Sequence, residues 1–282
     1  MQIVQSVSCY CCGCSDLVTA ITYSRPPEGE TRFAFSDDSY FREVVRCVRC
    51  GHFMSRHEMD DSTLYTQDYV TATYGDDGFQ NTFDRIISLP ADRSDNVGRC
   101  NRILEFAKKN LLTAACEDRE PTILDVGSGL CVFLYEMKKH GWRGTAMDPD
   151  PRAVFHAQNV VQVDAVCADF FQCDEVGRFD LITFNKVLEH VQDPVAMLAK
   201  SKSFLNDGGF IYIELPDGES AVHLGPGREE FFIEHHHVFS LASIAMLALR
   251  SGFVVNCIER LQEPSTKYTL RAFLSRDPSC CD

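Results

Sequence analysis

Four cysteines in two C-x-x-C pairs have the spacing of a metal site. Cys9 and Cys12 form the first pair, Cys47 and Cys50 form the second, and a glycine follows each pair. Four thiolates that converge from two tight turns make a closed tetrahedral site suited to structural zinc. We therefore predict a small zinc-ribbon-like segment, with no open coordination position for catalysis.

Other uses of these cysteines remain possible. Cys11 and Cys14 form an overlapping C-x-x-C pair, although only the pairing of Cys9 with Cys12 puts a glycine after the second ligand in both knuckles. Disulfides would require an oxidising compartment. Met1 to Ser8 lack the basic region and apolar stretch of a secretory signal. The 14 cysteines are thus expected in a reducing cytoplasm, either as free thiols or bound to metal.

A glycine turn follows a predicted buried strand in the run PTILDVGSGL, residues 121–130. Asp125 ends the strand, and Gly127 and Gly129 supply the backbone freedom that a ligand at a strand-to-helix turn requires. A dinucleotide fingerprint would need a third glycine, where this chain has Val132. A pyrophosphate cradle is therefore not indicated, and a carboxylate at the strand end favours a cationic or hydroxyl-bearing ligand.

Two further acidic residues follow predicted strands. Asp148 comes 23 residues after Asp125, a separation at which an acid can accept hydrogen bonds from ribose hydroxyls. Asp169 could accept from an adenine amino group while Phe170 covers the ring. Alternatively, Asp125 caps the next helix and Asp148, which precedes Pro149, only begins a turn. Ligands bind at the carboxyl ends of parallel strands, which favours a shared site.

Three consecutive histidines follow Glu234 after the predicted fifth strand. Near neutral pH an imidazole accepts a proton without much tuning, so His235 is a candidate general base. Two alternatives stay open. The histidines could bind a divalent metal, or His235 and Ser240 could only cap the helix that begins near Leu241.

The elements that must position these residues alternate between strand and helix. This order predicts an α/β fold with a mostly parallel seven-stranded sheet whose last two strands form a hairpin. We predict a zinc-binding segment and connector over residues 1–75, a helical linker or lid over 76–118 with a helix at 96–110, and the sheet domain over 119–282.

Net charge and the lengths of the apolar runs limit the classes of partner that we expect. The net charge of −14 disfavours a nucleic-acid substrate, because phosphate binding needs a basic surface. No apolar run approaches the ~20 residues that cross a bilayer, so no membrane partner is expected. A small-molecule substrate is expected, and monomer and homodimer both remain open.

The motifs and their order resemble those of class I S-adenosylmethionine (SAM) methyltransferases, which have a Rossmann-like fold. A zinc-binding segment before such a domain is similar to enzymes related to the sugar C-methyltransferases. Their E-H-x-x-x-F-S motif is matched by Glu234, His235, Phe239 and Ser240. The resemblance implies that His235 is the base and Glu234 its orienting partner. It also implies that SAM is bound by Asp125, Gly127, Ser128, Gly129, Asp148, Pro149, Asp169, Phe170, Asn185, Leu188 and His190.

The connecting segment 64–70 also resembles that family, which implies that Tyr69 closes over SAM or substrate; alternatively it packs the two parts together. Two departures weaken sugar C-methylation. Phe232 stands where the family has tyrosine, and the family's further carboxy-terminal domain does not follow the last predicted strand. The expected reaction is O- or C-methylation of a small polar metabolite, such as a nucleotide-linked sugar.

Two other functions fit parts of the pattern. One is a non-catalytic SAM-binding scaffold with a zinc-mediated partner contact, because Cys131 replaces the third glycine of the family's first motif. The other is an NAD-dependent dehydrogenase, which the missing fingerprint glycine disfavours.

Overall fold

Two β-sheets organise the chain in a computed structural model that describes residues 8–30, 40–59, 78–111 and 119–278. Tyr69 lies outside these ranges, so its predicted role is not addressed below. In chain order the strands are β1 (Leu17–Tyr23), β2 (Arg42–Cys47), β3 (Phe53–Arg56), β4 (Thr122–Val126), β5 (Arg143–Asp148), β6 (Asp164–Cys167), β7 (Phe179–Asn185), β8 (Leu205–Pro216), β9 (His237–Val238), β10 (Phe253–Gln262) and β11 (Tyr268–Arg276).

The larger sheet has seven strands in the order β10-β11-β8-β7-β4-β5-β6. Strands β4 to β8 pair in parallel, whereas β11 is antiparallel to both β8 and β10. The predicted α/β sheet of seven strands with a terminal hairpin is confirmed. Because β7 and β4 are covered on both faces, nearly all of their residues are buried, rather than every second one.

Helices cover both faces of this sheet. They are α1 (Gly78–Ile87), α2 (Asp95–Asn110), α3 (Val132–Lys139), α4 (Pro151–His156), α5 (Pro194–Lys200), α6 (Gly218–Ala221) and α7 (Leu241–Arg250). Asp150 and Asp193 cap helices whose first residue is proline, which needs no amide hydrogen there. Ser240 caps α7 in a reciprocal pair with Ser243, so the capping role considered for Ser240 is present.

One apolar core lies on each side of the sheet. On one side α2 packs against the hairpin, where the rings of Phe106 and Phe273 stack with centroids 4.1 Å apart. On the other side Ile244 and Leu247 of α7 pack with Ile182 and Ile213. The helix predicted over 96–110 is thus observed as α2, while the predicted boundaries of the three parts stay predictions.

The smaller sheet, in the order β1-β2-β3-β9, joins the amino-terminal segment to the loop after β8. Strand β9 comes from that loop and pairs with β3, with Val238 opposite Phe53. The loop and β3 pack closely here, since a Cβ on Gly218 would lie 2.5 Å from the Phe53 ring. The histidine-containing loop is therefore part of the amino-terminal sheet.

A buried ion pair strengthens this junction. Arg42 donates to Glu30 at 2.8 Å and to the Phe231 carbonyl at 2.7 Å, and both charged side chains are almost fully buried. The second charged group, Glu30, accepts from the Ile233 amide at 2.8 Å. The pair thus ties two turns of the loop to the amino-terminal segment.

Within the ranges given above, no helix combines the length and apolarity needed to span a membrane.

We predict that Arg42→Met lowers the free energy of unfolding by about 3–5 kcal/mol, because the buried Glu30 carboxylate loses its counter-charge. Urea denaturation followed by circular dichroism measures the loss. The double variant Arg42→Met, Glu30→Met is the control and should recover most of the stability. A loss below about 1 kcal/mol in the single variant would contradict this role for the pair.

Candidate active site and cysteine cluster

A cavity of about 1270 Å³ opens at the carboxyl ends of the central parallel strands. Nearly all of the predicted ligand-binding and catalytic residues that the structure describes line it. They are Asp125, Gly127, Ser128, Gly129, Asp148, Pro149, Asp169, Phe170, Asn185, His190, Glu234 and His235.

Leu188 does not line this cavity. Its side chain is fully buried in the core beside α5, below the turn that carries His190. It therefore supports that turn and does not face a ligand.

Asp125 organises the strand ends rather than capping a helix. Its Oδ1 accepts from Thr183 Oγ1 at 2.6 Å and from Asn185 Nδ2 at 2.9 Å. The cap residue of α3 is Cys131. Burial raises the pKa of Asp125 to about 6, although the two hydrogen bonds favour the ionised form.

The glycine turn has the backbone shape that the sequence suggested. Gly127 has φ of 68°, and a Cβ there would lie 2.7 Å from Val187 Cγ2. Cys131 also has a positive φ, 59°, and its side chain is buried. This backbone therefore adopts a glycine-like conformation where the family motif has its third glycine, even though the residue is cysteine.

Asp148 has the structural role that the sequence left open as an alternative to ligand binding. Its Oδ1 accepts from the Asp150 amide and its Oδ2 from the Gly129 amide, each at 2.9 Å. It therefore begins a turn and also links that turn to the glycine turn at the cavity wall. Burial raises the pKa of this carboxyl.

The aromatic residue predicted to cover a ligand ring is turned mainly into the core. Phe170 is 3% exposed and packs against Phe184 and Phe204. The next residue, Phe171, is half-buried and lines the cavity. Asp169 is exposed and its Oδ1 accepts from the Phe171 amide at 2.9 Å. Sequence reasoning missed Phe171 because adjacent phenylalanines do not reveal which one faces the ligand.

Two histidines from different loops meet at the other end of the cavity. The rings of His190 and His235 have centroids 4.9 Å apart. His190 Nδ1 lies 2.8 Å from the Glu234 carbonyl, and His235 Nδ1 lies 2.8 Å from the Glu230 carbonyl. Burial lowers the pKa of both rings, to about 4 for His190, so both are neutral near pH 7.

The partner predicted for His235 needs correction. The orienting contact to its Nδ1 comes from the main chain of Glu230, whereas the Glu234 carbonyl orients His190. The consecutive histidines also diverge. His237 lies in β9, where its Nδ1 is 3.0 Å from His52 Nε2.

Two further charged residues, Glu189 and Arg99, line the cavity wall. Glu189 is 1% exposed and lies beside both histidines. Arg99 donates to both carboxylate oxygens of Glu214, at 2.8 and 2.5 Å. Burial disfavours ionisation of Glu214, but the Arg99 guanidinium holds its pKa well below the usual range. Only tertiary structure brings these distant residues together.

The four predicted metal ligands form a second site in the amino-terminal segment. The Sγ atoms of Cys9, Cys12, Cys47 and Cys50 all lie within 4.8 Å of one another. Cys9 is 3.5 Å from Cys50, and Cys12 is 3.5 Å from Cys47. Zinc–sulfur bonds of ~2.3 Å in a tetrahedron put sulfurs roughly 3.8 Å apart, so this thiol group fits zinc.

Comparisons with known proteins agree with this architecture. A family model described as "Methyltransferase domain" matches residues 99–258. A ubiquinone biosynthesis O-methyltransferase of Xanthomonas axonopodis pv. citri is 31% identical over 109 residues, which are 36% of this chain and 46% of that protein. A tRNA U34 carboxymethyltransferase of Dichelobacter nodosus is 28% identical over 207 residues, 64% of each chain. The match thus spans about half the length of the first of these relatives.

Solved structures share the fold. The 1,6-didemethyltoxoflavin-N1-methyltransferase of Burkholderia thailandensis, solved with its acceptor and S-adenosylhomocysteine, superposes with a TM-score of 0.56 and 18% identity over 88% of this chain and 99% of its own. The magnesium protoporphyrin IX methyltransferase of Synechocystis superposes with a TM-score of 0.52 and 13% identity over 76% and 97%. Because the family model covers more than half of the sequence, this chain belongs to the methyltransferase domain family.

Proposed function

We propose that this protein transfers a methyl group from SAM to a hydroxyl of a small polar molecule. One observation carries the proposal: a single cavity joins the glycine turn and strand-end acids to the neutral histidines His190 and His235. The first end has the groups that a nucleoside with an amino-acid tail requires, and the second has groups that can receive a proton.

The SAM end of the cavity divides into three regions. The amides around Gly127 and Gly129, with Asn185, would bind the amino-acid tail. The carboxylate of Asp148 would accept from the ribose hydroxyls. Asp169 and Phe171 would hold the adenine. When bound, SAM supplies a methyl group activated by a sulfonium.

His235 provides the simplest path for the proton. Because the Glu230 carbonyl accepts from Nδ1, the neutral ring has its lone pair on Nε2. As the acceptor oxygen bonds to the methyl carbon, the carbon–sulfur bond breaks and its electron pair stays on sulfur. The hydroxyl proton passes to Nε2, which leaves a methyl ether and S-adenosylhomocysteine. Alignment of oxygen and carbon supplies much of the acceleration.

The acceptor class follows from the lining of the second end. This end combines carboxylates with Lys186 and Lys267, which suits a polar molecule better than a lipid. Gly29, from the amino-terminal segment, also lines it. A nucleotide-linked sugar is one such acceptor, with phosphates available to pair with the two lysines. Methylation at carbon is the alternative for an acceptor that has an acidic C–H.

We predict that His235→Ala lowers kcat by about 10²- to 10⁴-fold, because the acceptor loses its proton-accepting group. The SAM dissociation constant should stay within about twofold, since the adenosine end is unchanged. Mass spectrometry of a metabolite extract incubated with SAM carrying a labelled methyl measures turnover, and calorimetry measures SAM binding.

The adjacent variant His236→Gln is the matched control and should keep its turnover. Full turnover by His235→Ala would contradict the proposed base. Tight SAM binding without a labelled product from any acceptor would instead favour a non-catalytic scaffold.

We further propose that the four clustered thiols hold a structural zinc ion. The cluster lies between the turn that precedes β1 and the turn that follows β2. In these turns the Gly13 and Gly51 amides donate to the Cys9 and Cys47 carbonyls, at 2.7 and 2.9 Å. These two turns have little apolar core of their own, so a metal would fix their mutual position.

We predict one zinc per chain in the wild-type protein and loss of that zinc in Cys12→Ala and Cys50→Ala. The melting temperature should fall by several degrees, because metal binding stabilises only the folded state. Plasma mass spectrometry and calorimetric melting measure the two effects. Cys14→Ala, outside the cluster, should keep its zinc. Loss of zinc in Cys14→Ala and Cys50→Ala, with zinc retained in Cys12→Ala, would select the other pairing of the first knuckle.

A further inference from the structure

We propose that Glu189, His190 and His235 form a second metal site, which binds a divalent first-row transition ion at the acceptor end of the cavity. This inference rests on the proposed function in one respect, namely that the acceptor presents an oxygen atom. The site itself is argued from the geometry of three side chains.

The three potential ligands converge from two separate loops. One ligand atom from each of Glu189, His190 and His235 lies within 4.8 Å of the others. Ligands ~2.1 Å from a common ion lie roughly 3 Å apart, so binding requires the ligand atoms to approach one another by up to about 2 Å. The first two residues follow β7, and the third lies in the loop that β9 anchors to the small sheet.

Both histidines have the orientation of metal ligands. A carbonyl oxygen can only accept, so Nδ1 of each ring carries the proton that binds to Glu230 or Glu234. Nε2 is then the basic nitrogen of each ring. Histidines that bind metals commonly donate their other nitrogen to a carbonyl in this way, which fixes the tautomer and the ring plane.

Of the three side chains, that of Glu189 gives the strongest reason to expect a bound ion. Its side chain is 1% exposed, and among the described residues Oε2 has no hydrogen-bond partner. A buried carboxylate oxygen without a partner is costly unless a cation or donor compensates it.

The donor set also indicates the type of ion. Two imidazoles and one carboxylate suit iron, manganese, cobalt or zinc, and leave coordination positions open for substrate. The cysteine cluster is different, because four thiolates complete a tetrahedral shell and favour zinc. The two sites therefore select ions by different chemistry.

A bound ion would change how the acceptor loses its proton. A hydroxyl on a divalent ion has a lowered pKa and can release its proton to solvent water before the oxygen attacks the methyl carbon. His235 would then act as a ligand, and direct proton transfer to its Nε2 would not be needed. Loss of His235 impairs turnover in either case, so only metal binding separates the two roles.

The test is a titration with Mn²⁺ of protein that holds one equivalent of zinc, which fills the cysteine cluster and leaves the second site empty, followed by the electron paramagnetic resonance signal of the unbound ion. Mn²⁺ prefers carboxylate, imidazole and water ligands to thiolates, so it does not report on the cysteine cluster. We expect one Mn²⁺ per wild-type chain and at least tenfold weaker binding by Glu189→Gln and by His235→Ala.

Two controls make the result decisive. His236→Gln should bind Mn²⁺ like the wild type, and SAM affinity in every variant should confirm that the fold is intact. A Co²⁺ titration supplies a second probe, whose visible bands at this site would lack thiolate charge transfer.

If neither ion binds below about 1 mM, or if both variants bind as tightly as the wild type, the metal site is rejected even if methylation occurs. If the ions bind as expected but no acceptor is methylated, the metal site stands and the proposed function fails.

Discussion

The position of the acceptor end depends on one constraint: the loop between β8 and α7 is held by two sheets. At its start, Asp217 bridges to Phe239 beside the end of β8, and at its end β9 completes the small sheet. Between them, the buried Arg42–Glu30 pair contacts the main chain at Phe231 and Ile233. The loop that carries His235 is thus held by hydrogen bonds to the amino-terminal segment. A loop anchored only to the larger sheet would have no equivalent support.

This arrangement links the cysteine cluster to the cavity through short structural steps. Ser240, which caps α7, donates to the Cys50 carbonyl, and His237 in β9 contacts His52, two residues beyond Cys50. A structural ion in the cluster would therefore stabilise the strand that carries the histidine loop. The amino-terminal segment would support the histidine loop in this way.

Two buried carboxylates of the larger sheet are each paired with an arginine. Glu214, near the carboxyl end of β8, is paired with Arg99. Asp180, near the amino end of β7, accepts from Arg119 at 2.6 Å. In both cases arginine keeps the carboxylate ionised. Glu189, in the turn after β7, is buried to the same degree, and its Oε2 has no such partner among the residues that the structure describes. The paired carboxylates hold the sheet ends together, whereas Glu189 lines the cavity.

The sequence alone determined the fold class, the strand-end acids and the four clustered cysteines, because these features follow from local rules. Apolar runs, glycine turns and C-x-x-C spacing depend on residues close together in the chain. The sequence did not decide which phenylalanine faces the cavity, that Leu188 enters the core, or that a carbonyl rather than Glu234 orients His235. Those outcomes depend on packing between distant segments. The approach of Glu189 and His190 to His235, 45 residues further along the chain, required the loop to be anchored in the second sheet. No local pattern encodes that anchor, so only the tertiary structure decided which side chains meet at that end of the cavity.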